Sequence, residues 1–544
     1  MRTQCATATV IHAVTVAAGV FAPGHLGELT QHLPFELVDD VLEQTGTVQR
    51  RLRDLPSRVG VYFVVALGLF PDLGYARVWG KLTAGLAGLD VPRPSEKALR
   101  DLRRRVGAAP VKALFEVVAG PLAWPRTPGT SFCGLRTVAF DGCNSVKIPD
   151  TARNQSWIGK VRCRLGEAGY PALRLMALAE TGTRSLLGAA VGTAADRDEA
   201  TLARRLLVLL QAGMLVLADR AFDTNSFLAD VAGTGADLLI RAKSSRTPRV
   251  LAHLPDGSYL SRIGGLQVRI IEAGITVTGA NGSQITGRYR LITTLADHRR
   301  CPAAALVQLY HERWEIESAF LALRHTLLAG RVLRSGDRPG IEQQLWALLT
   351  ACQLLRRAMV TAVETRPGTD PDRASFTTAL EAARDQLTAA RGIITPPGPP
   401  DLPGAIGRAV LATLLPPRRP RYSTRTIKCA TSRYATRDDA RPHTMTAITT
   451  ITITITTPPP IAPIPTPRPN TRGHHLIALI TATPGQTWTG RDLATLTGAS
   501  LKVALSQLAE WTRAGYLTRT SPGTYKLKLN TPANPASSTT APGP

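Results

Sequence analysis

The stretch MLVLADRAF, residues 214–222, decides the fold class of this chain of 544 residues. An uninterrupted apolar run is followed at once by a carboxylate, Asp219, and then by Arg220. Such a run is typical of a strand that is buried on both faces of a sheet. An earlier run, LRTVAFDG at 135–142, has the same pattern and ends on Asp141. Because α/β sheets place their sites at the carboxyl ends of strands, both aspartates are candidate site residues.

The neighbouring segments predict a mixed α/β layer around these two strands. PALRLMALAET at 171–181 and SLLGAAVGTA at 185–194 predict two further strands, and DEATLARRLLVLLQAG at 198–213 predicts a helix. ADLLIRAK at 236–243 predicts a fifth strand, so strands and helices share one layered domain. Residues 246–300 predict a β-rich insertion, and a long helix is predicted from Pro302 to Leu328.

The flanking regions predict three further parts. Residues 26–120 have helical periodicity, which predicts a helical N-terminal domain before the α/β domain at 132–365. In this first part Ser95 is a candidate N-cap. Arg100, Arg103 and Arg104 fall on one helical face, which suits phosphate contact or an ordinary solvated face.

The C-terminal part is predicted to be a linker and then a small domain. Residues 395–473 are basic and then rich in Pro and Thr, and the stretch 444–470 is expected not to pack. Three helical segments and a hairpin at 474–530 predict a winged helix-turn-helix.

The charge and the cysteines limit the class of protein. Lys and Arg number 65 against 40 Asp and Glu, a net charge of +25 that indicates a polyanionic partner or a basic proteome. The 7 cysteines are scattered without a CxxC pair, which argues against a zinc ribbon and a disulfide framework. We therefore expect a cytoplasmic protein. The apolar run at 59–70 is too short to cross a bilayer, so no membrane partner is expected.

The stretch LYHERWEIESAF, residues 309–320, contributes a third candidate carboxylate. At roughly 100° per residue, Arg313, Glu317 and Arg324 lie within a narrow sector beside Tyr310. Glu312 and Glu315 point away by the same rule. On helix spacing alone, a surface ion-pair ladder is the favoured interpretation of Glu317 and its cations, because such pairs are common.

Asp141 and Asp219 favour a catalytic interpretation of Glu317 instead. A carboxylate at the tip of a buried strand is costly unless it is paired or bound to a metal. Three carboxylates from two strands and a helix can hold two Mg²⁺ or Mn²⁺ ions. Four other acids lie in turns or at helix starts and are expected to act as caps: Asp150, Asp196, Asp198 and Asp223.

The order of these motifs resembles the DDE transposases of the insertion element four family. The pattern consists of DG after the first strand, DR after the fourth, and Tyr310, Arg313 and Glu317 at the family's spacing. The resemblance implies an RNase H-like core with a β-rich insertion before the helix that bears the glutamate. It also implies that Asp141, Asp219 and Glu317 are the catalytic carboxylates. The implied activity is metal-dependent DNA cleavage and strand transfer, performed by a homodimer on terminal inverted repeats and target DNA.

The resemblance also implies DNA contacts beside the carboxylates. Tyr310 and Arg313 match family residues that contact the transposon end, and Arg220 follows the second aspartate. The family's final Lys is Arg324 here, which keeps the charge but changes the geometry. Trp314 is a candidate for stacking on an unpaired base, or for a place in the core. A nuclease without strand transfer, and a DNA-binding regulator with a relic core, remain as alternatives.

Overall fold

The structure is a computed structural model whose described residues leave out several segments of the chain. The described residues are 23–51, 53–160, 162–163, 166–193, 196, 198–279, 282, 284–310, 319–391, 403–416, 421–422, 446–460, 472–483, 485–513 and 516–527.

The α-helices in these residues follow the chain in the order of their labels. They are α1 (Phe35–Gln44), α2 (Ser57–Leu69), α3 (Tyr75–Thr83), α4 (Glu96–Val106), α5 (Ala109–Val118), α6 (Ala152–Ile158), α7 (Glu199–Arg204), α8 (Asn225–Gly233), α9 (Ala303–Tyr310), α10 (Arg338–Glu364), α11 (Phe376–Thr388), α12 (Gly404–Ala412), α13 (Arg472–Ala482), α14 (Gly490–Thr497) and α15 (Leu501–Arg513).

The strands are numbered in the same way. They are β1 (Ser131–Phe132), β2 (Leu135–Lys147), β3 (Arg162–Cys163), β4 (Gly166–Glu167), β5 (Ala172–Glu180), β6 (Leu186–Gly192), β7 (Met214–Ala218), β8 (Asp237–Arg241), β9 (Ala252–His253), β10 (Tyr259–Ile263), β11 (Leu266–Gly279), β12 (Gln284–Thr293), β13 (Arg421–Tyr422), β14 (Thr446–Ile455), β15 (Thr487–Thr489), β16 (Leu517–Ser521) and β17 (Thr524–Leu527).

A large mixed sheet confirms the predicted α/β class. Its strand order is β13-β14-β11-β12-β8-β7-β2-β5-β6. The strands β2, β7 and β8 are parallel, whereas β5 and β6 continue the sheet from β2 as antiparallel neighbours. All five strands that the sequence predicts for this layer are therefore present.

The two faces of the central strands pack against different helices, because side chains alternate along a strand. Ala139 and Leu217 face the larger core, to which α2, α9 and α10 contribute. Val138 and Val216 face a second core with α7 and α8. This alternation decides on which face the residues that follow the strands lie.

The predicted helices that flank the sheet are present, but two of them differ from the prediction. The apolar run of α2 is buried along its whole length, as expected for a helix that is apolar all round. The predicted helix Pro302–Leu328 is wrong as a single regular helix, because Ala322–Leu327 forms a π-helix. The rotation of roughly 100° per residue therefore does not extend to Arg324. The predicted helix at 198–213 is also shorter, ending at Arg204 before a 3₁₀ turn at Leu207–Leu209.

Helix α4 corrects one expectation about the basic face. Ser95 is the N-cap, and its hydroxyl accepts a hydrogen bond of 3.2 Å from the Ala98 amide. Arg100 and Arg104 are exposed, but Arg103 is buried. Arg103 lies four residues after Leu99 and three before Val106, so it falls on the buried side of α4 and cannot contact phosphate as the sequence suggested.

The expectation that residues 444–470 do not pack is wrong for β14. This strand pairs antiparallel with β11, from Ala273 opposite Ile455 to Thr278 opposite Thr450. Ile451, Ile453 and Ile455 are half-buried against the larger core, while the intervening threonines are exposed. Strict alternation of β-branched residues is the pattern of a strand with one buried face, and it outweighs the low complexity of the sequence.

The C-terminal residues form the helices and the hairpin that the sequence predicts. Helices α13, α14 and α15 are followed by β16 and β17, and β15 adds a third strand in the order β15-β17-β16. Thr489 and Asp492 form a capping box at the start of α14. Trp488, Trp511 and Tyr525 belong to a small core of this part. Among the described helices of the whole chain, none combines the length and the apolarity that crossing a membrane requires.

Candidate active site

The two candidate aspartates lie in register on adjacent parallel strands. The ladder between β2 and β7 pairs Val138 with Val216 and ends with Ala139 opposite Leu217. Asp141 and Asp219 each come two residues after that last pair. Because alternate residues share a face, both aspartates follow the larger core's face, which α9 and α10 cover. The structure therefore brings together the two carboxylates that the sequence selected.

The strand context of Asp141 differs from the prediction. Asp141 does not end its strand, because β2 continues to Lys147 in antiparallel pairing with β5. A register shift between Cys143 and Val146 interrupts that pairing. Asp141 thus lies where β2 has left its parallel partner, and its carboxylate is half-buried.

Asp219 lies at the end of β7, as predicted. One of its carboxylate oxygens, Oδ1, accepts a hydrogen bond of 2.7 Å from the Ala221 amide and thereby caps the 3₁₀ turn Arg220–Phe222. The Asp219 side chain is half-buried, whereas Arg220 is exposed at the same edge of the sheet. A cation next to the second aspartate is therefore accessible to a polyanion.

Tyr310 connects α9 to the residue before Asp219. Its hydroxyl donates a hydrogen bond of 3.2 Å to the carbonyl oxygen of Ala218, and its side chain is buried. Its ring packs edge-on against Tyr289, with 6.1 Å between the centroids. The end of α9 is thus fixed beside β7, and the phenol has a packing role in addition to the DNA contact predicted for it.

Arg324 connects the chain beyond α9 to β2. Its guanidinium donates to the Ser145 hydroxyl, which lies on β2 shortly after Asp141. The other guanidinium nitrogen lies 2.8 Å from Nε2 of His325. The residues that flank 311–318 therefore contact both strands that carry the aspartates. Glu317, Arg313 and Trp314, together with Glu312 and Glu315, lie outside the described residues.

A fourth carboxylate, Glu199, was missed by the sequence reasoning. It is the first residue of α7, its Oε1 accepts a hydrogen bond of 3.3 Å from Asn144 Nδ2, and it lies against Gly142. Burial, and then the charge of Asp219, raise the pKa of the Glu199 carboxyl above its ordinary value. The available signal is an acid directly after the helix cap Asp198, but acids in the first turn of a helix are common and do not by themselves indicate a site.

Of the other acids near the site, which were expected to act as caps, Asp198 does so, whereas Asp150 and Asp223 form ion pairs. Asp198 caps α7 by accepting a hydrogen bond of 2.7 Å from the Thr201 amide. Asp150 pairs with Lys160, and these interactions lower the pKa of its carboxyl. Asp223 is not a surface cap, because its buried carboxylate pairs with Arg246 at 2.7 Å. Each of these three carboxylates therefore has a partner of its own in the structure.

Two family models match the chain, over residues that fit the described architecture. The model described as "Insertion element 4 transposase N-terminal" matches residues 23–116, which contain α1 to α4 and most of α5. The model described as "Transposase DDE domain" matches residues 135–354, from β2 into α10. The chain belongs to the DDE transposases of the insertion element 4 family. The transposase thus carries Asp141 and Asp219 at the start and in the middle of its DDE domain.

Individual proteins with similar sequences agree with this assignment. "Transposase InsG for insertion sequence element IS4" of Escherichia coli (strain K12) is 27% identical over 425 residues, 76% of this chain and 94% of the relative. "Putative transposase InsZ" of the same strain is 29% identical over 199 residues, 36% of this chain and 64% of the relative. A solved piggyBac transposase synaptic complex with hairpin DNA covers 72% of this chain at 9% identity. The match spans 86% of the piggyBac chain, with a TM-score of 0.37.

The family membership decides the activity. The transposase is an enzyme that acts on DNA and performs DNA transposition. DNA is therefore the polyanionic partner that the net charge of +25 indicated. Neither a nuclease without strand transfer nor a regulator with a relic core is favoured. Enzymes with this domain generally use divalent metal ions.

Proposed function

We propose that Asp141, Asp219 and Glu317 are the catalytic carboxylates of the transposase. They would support hydrolytic cleavage at the transposon ends and strand transfer into target DNA. The observation that carries this proposal is the register of Asp141 and Asp219, on one face of adjacent parallel strands. Tyr310 and Arg324 support the assignment of Glu317, because they flank its segment and contact the strands of Asp219 and Asp141.

The donor set is chemically suited to Mg²⁺ or Mn²⁺. Both are hard cations that prefer carboxylate oxygens, and Asp141 and Asp219 supply such oxygens at one edge of the sheet. Within the residues that the structure describes, no cluster of three or more acidic, His or Cys side chains could hold a metal. The third predicted ligand, Glu317, lies outside them, so the proposed set is completed only with that residue. When bound, two such ions would activate an attacking oxygen and stabilise the leaving oxygen at phosphorus.

The cations at this edge are proposed to hold the DNA backbone in position. Arg220 is exposed beside Asp219, and Arg324 lies beside β2 near Asp141. Arginine at both aspartates would offset the negative charge that a phosphate brings toward carboxylates. Arg313, Trp314 and Tyr310 are proposed as further contacts to the transposon end. For Tyr310, such a contact must be compatible with its bond to Ala218, or replace it.

We also propose how the parts of the chain divide the work. The order β6-β5-β2-β7-β8 supports an RNase H-like catalytic domain at 132–365, with the insertion at 246–300. Residues 26–120 would bind DNA, and the part of 395–473 that follows β14 would connect the catalytic domain to the last part. The three helices and hairpin within 474–530 support a winged helix-turn-helix. The transposase would act in the cytoplasm as a homodimer on paired terminal inverted repeats.

Alanine substitution of Asp219 tests the catalytic assignment. The Asp219→Ala variant should bind transposon-end DNA like the wild type in a mobility-shift assay. It should yield no cleaved ends in Mg²⁺ or in Mn²⁺. The matched control is Asp230→Ala on α8, whose carboxylate pairs with Arg204 at 2.8 Å and should be dispensable for cleavage. Cleavage by Asp219→Ala at the wild-type rate would show that Asp219 is not a catalytic carboxylate.

A further inference from the structure

Arg241 lies in one row with the two candidate aspartates, at the carboxyl ends of three adjacent parallel strands. On β2, β7 and β8, three residues that face the larger core are paired in register: Ala139, Leu217 and Leu239. Two residues further along, the same strands carry Asp141, Asp219 and Arg241. Because alternate residues of a strand share a face, these three side chains start from the same face of the sheet.

The backbone at Asp219 and Arg241 keeps the extended conformation that this alternation requires. Asp219 has φ −85° and ψ −177°, and Arg241 is the last residue of β8, where it pairs with Leu291 of β12. Leu291 also faces the larger core, so its cross-strand partner Arg241 lies on that face as well. Adjacent strands are about 4.8 Å apart, and the Arg241 side chain therefore starts one strand spacing from Asp219.

An aromatic ring holds the guanidinium group of Arg241. The central carbon of this group lies 4.4 Å from the centroid of the Tyr289 ring, which is a cation–π distance. Tyr289 in turn packs edge-on against Tyr310, and the Tyr310 hydroxyl donates to the carbonyl oxygen of Ala218. These contacts form a chain that leads from Arg241 on β8 to the residue before Asp219 on β7.

The positive charge of Arg241 is not neutralised by an ion pair with any residue that the structure describes. Two other arginines near this edge do have such partners, since Arg246 pairs with Asp223 at 2.7 Å and Arg290 pairs with Glu272 at 2.9 Å. The side chain of Arg241 is half-buried. A guanidinium in this setting keeps its planar set of N–H donors for an anion, and phosphate is the anion that DNA brings to this edge.

We infer that Arg241 holds a backbone phosphate of the transposon end, next to the phosphate at which the aspartates act. Its guanidinium donates to the non-bridging oxygens of that phosphate, and the Tyr289 ring fixes the plane of the donors. The inference rests on the proposed function, because it requires the DNA end to lie across the row of strand ends. It adds a contact from β8 to those proposed for Arg220 and Arg324.

Binding of transposon-end DNA to the full-length transposase at several salt concentrations tests the inference. Arg241→Gln removes the charge and keeps a planar group beside the Tyr289 ring, whereas Arg241→Lys keeps the charge. The Gln variant should reduce the slope of log affinity against log salt concentration by about 1, and the Lys variant should keep the wild-type slope. Arg204→Gln is the matched control and should also keep it, because Arg204 lies over the Phe227 ring on the opposite face of the sheet.

DNA ends that each carry one uncharged methylphosphonate locate the contact. Replacement of the phosphate that Arg241 holds should weaken binding by the wild type and not by Arg241→Gln, and this phosphate should adjoin the cleavage site. Arg241→Met is a second neutral variant that guards against a folding defect, and circular dichroism spectra should match the wild type for each variant compared.

Two results would overturn the inference alone. One is a wild-type salt slope in the folded neutral variants, which would leave Arg241 with a packing role only. The other is coupling of Arg241 to a phosphate far from the cut, or to none. Cleavage by Asp219→Ala would instead overturn the proposed function, whatever the salt slopes of the Arg241 variants.

Discussion

Arg103 should be required for stability and not for DNA contact, in contrast to its neighbours on α4. Its guanidinium is buried and donates to Gln343 Oε1 at 2.9 Å and to Ser335 Oγ at 3.2 Å. It also donates to the Tyr75 hydroxyl. Gln343 lies on α10 of the DDE domain, so this one side chain joins the N-terminal helices to the catalytic part. Arg103→Ala would remove every one of these bonds.

The expected loss follows from the groups that would be left without a partner. Gln343 is 2% exposed, so water cannot replace the lost donor at its Oε1 without rearrangement. A buried polar group without a partner costs about 1–3 kcal/mol, and loss of the packed arginine stem adds to this. We therefore expect Arg103→Ala to lower the free energy of unfolding by about 3 kcal/mol. Arg103→Lys should recover only part of this, because one ammonium group cannot reproduce the planar donor set.

Urea unfolding followed by circular dichroism measures this loss, and DNA titration at several salt concentrations supplies the contrast. Arg100→Ala and Arg104→Ala alter exposed residues and should change stability by less than about 0.5 kcal/mol. If these two contact phosphate, each should lower the salt dependence of DNA binding, whereas Arg103→Ala should not. An unfolding midpoint of Arg103→Ala equal to that of Arg100→Ala would refute the reasoning.

Three further outcomes follow from the described contacts and charges. Ile453→Lys places a charge on the half-buried face of β14 and should make residues 446–460 several-fold more sensitive to limited proteolysis. Thr452→Lys, on the exposed face, should not, and equal cleavage of the two variants would argue against the pairing with β11. Burial lowers the pKa of His25 to about 4, so below about pH 6.5 the unfolded chain binds a proton that the folded protein does not. The free energy of unfolding should therefore fall by up to about 3 kcal/mol between about pH 6.5 and 4. In urea titrations at several pH values, the His25→Asn variant should lose this pH dependence of stability, and the variant His253→Asn, at an exposed position, should keep it. The same pH dependence in both variants would contradict the burial argument. DNA affinity should fall on the order of a thousandfold between about 50 and 200 mM salt, and a flat response would contradict binding through phosphates.

The sequence predicted the parts of the fold in which a single pattern was sufficient. The apolar runs before Asp141 and Asp219 predicted both strands, because continuous apolar runs are characteristic of buried parallel strands. The prediction for β14 was wrong, because the low-complexity composition was given more weight than the alternation of Thr and Ile. The fate of Arg103 could not be predicted, since helical spacing defines a face but not the partner that covers it.

The sequence predicted only part of the candidate site. Order along the chain identified Asp141 and Asp219, whose register on β2 and β7 then emerged in the structure. Glu199 could not be identified, because its approach to Gly142 depends on how α7 packs across the sheet. The π-helix at Ala322–Leu327 likewise has no simple sequence signal, although it determines how Arg324 reaches Ser145. Contacts between layers are tertiary properties, and periodicity does not specify them.

Strand joining by the purified transposase tests the central claim most directly. The substrate is a transposon end that is already cut and carries a labelled 3′-OH, incubated with supercoiled target DNA and Mg²⁺. We predict that the wild-type protein transfers the label into the target and that Asp141→Asn and Asp219→Asn do not, while both variants still bind the end. Joining by either variant at the wild-type rate would contradict the assignment of the aspartates. A wild-type protein that cuts ends and never joins them would contradict strand transfer itself.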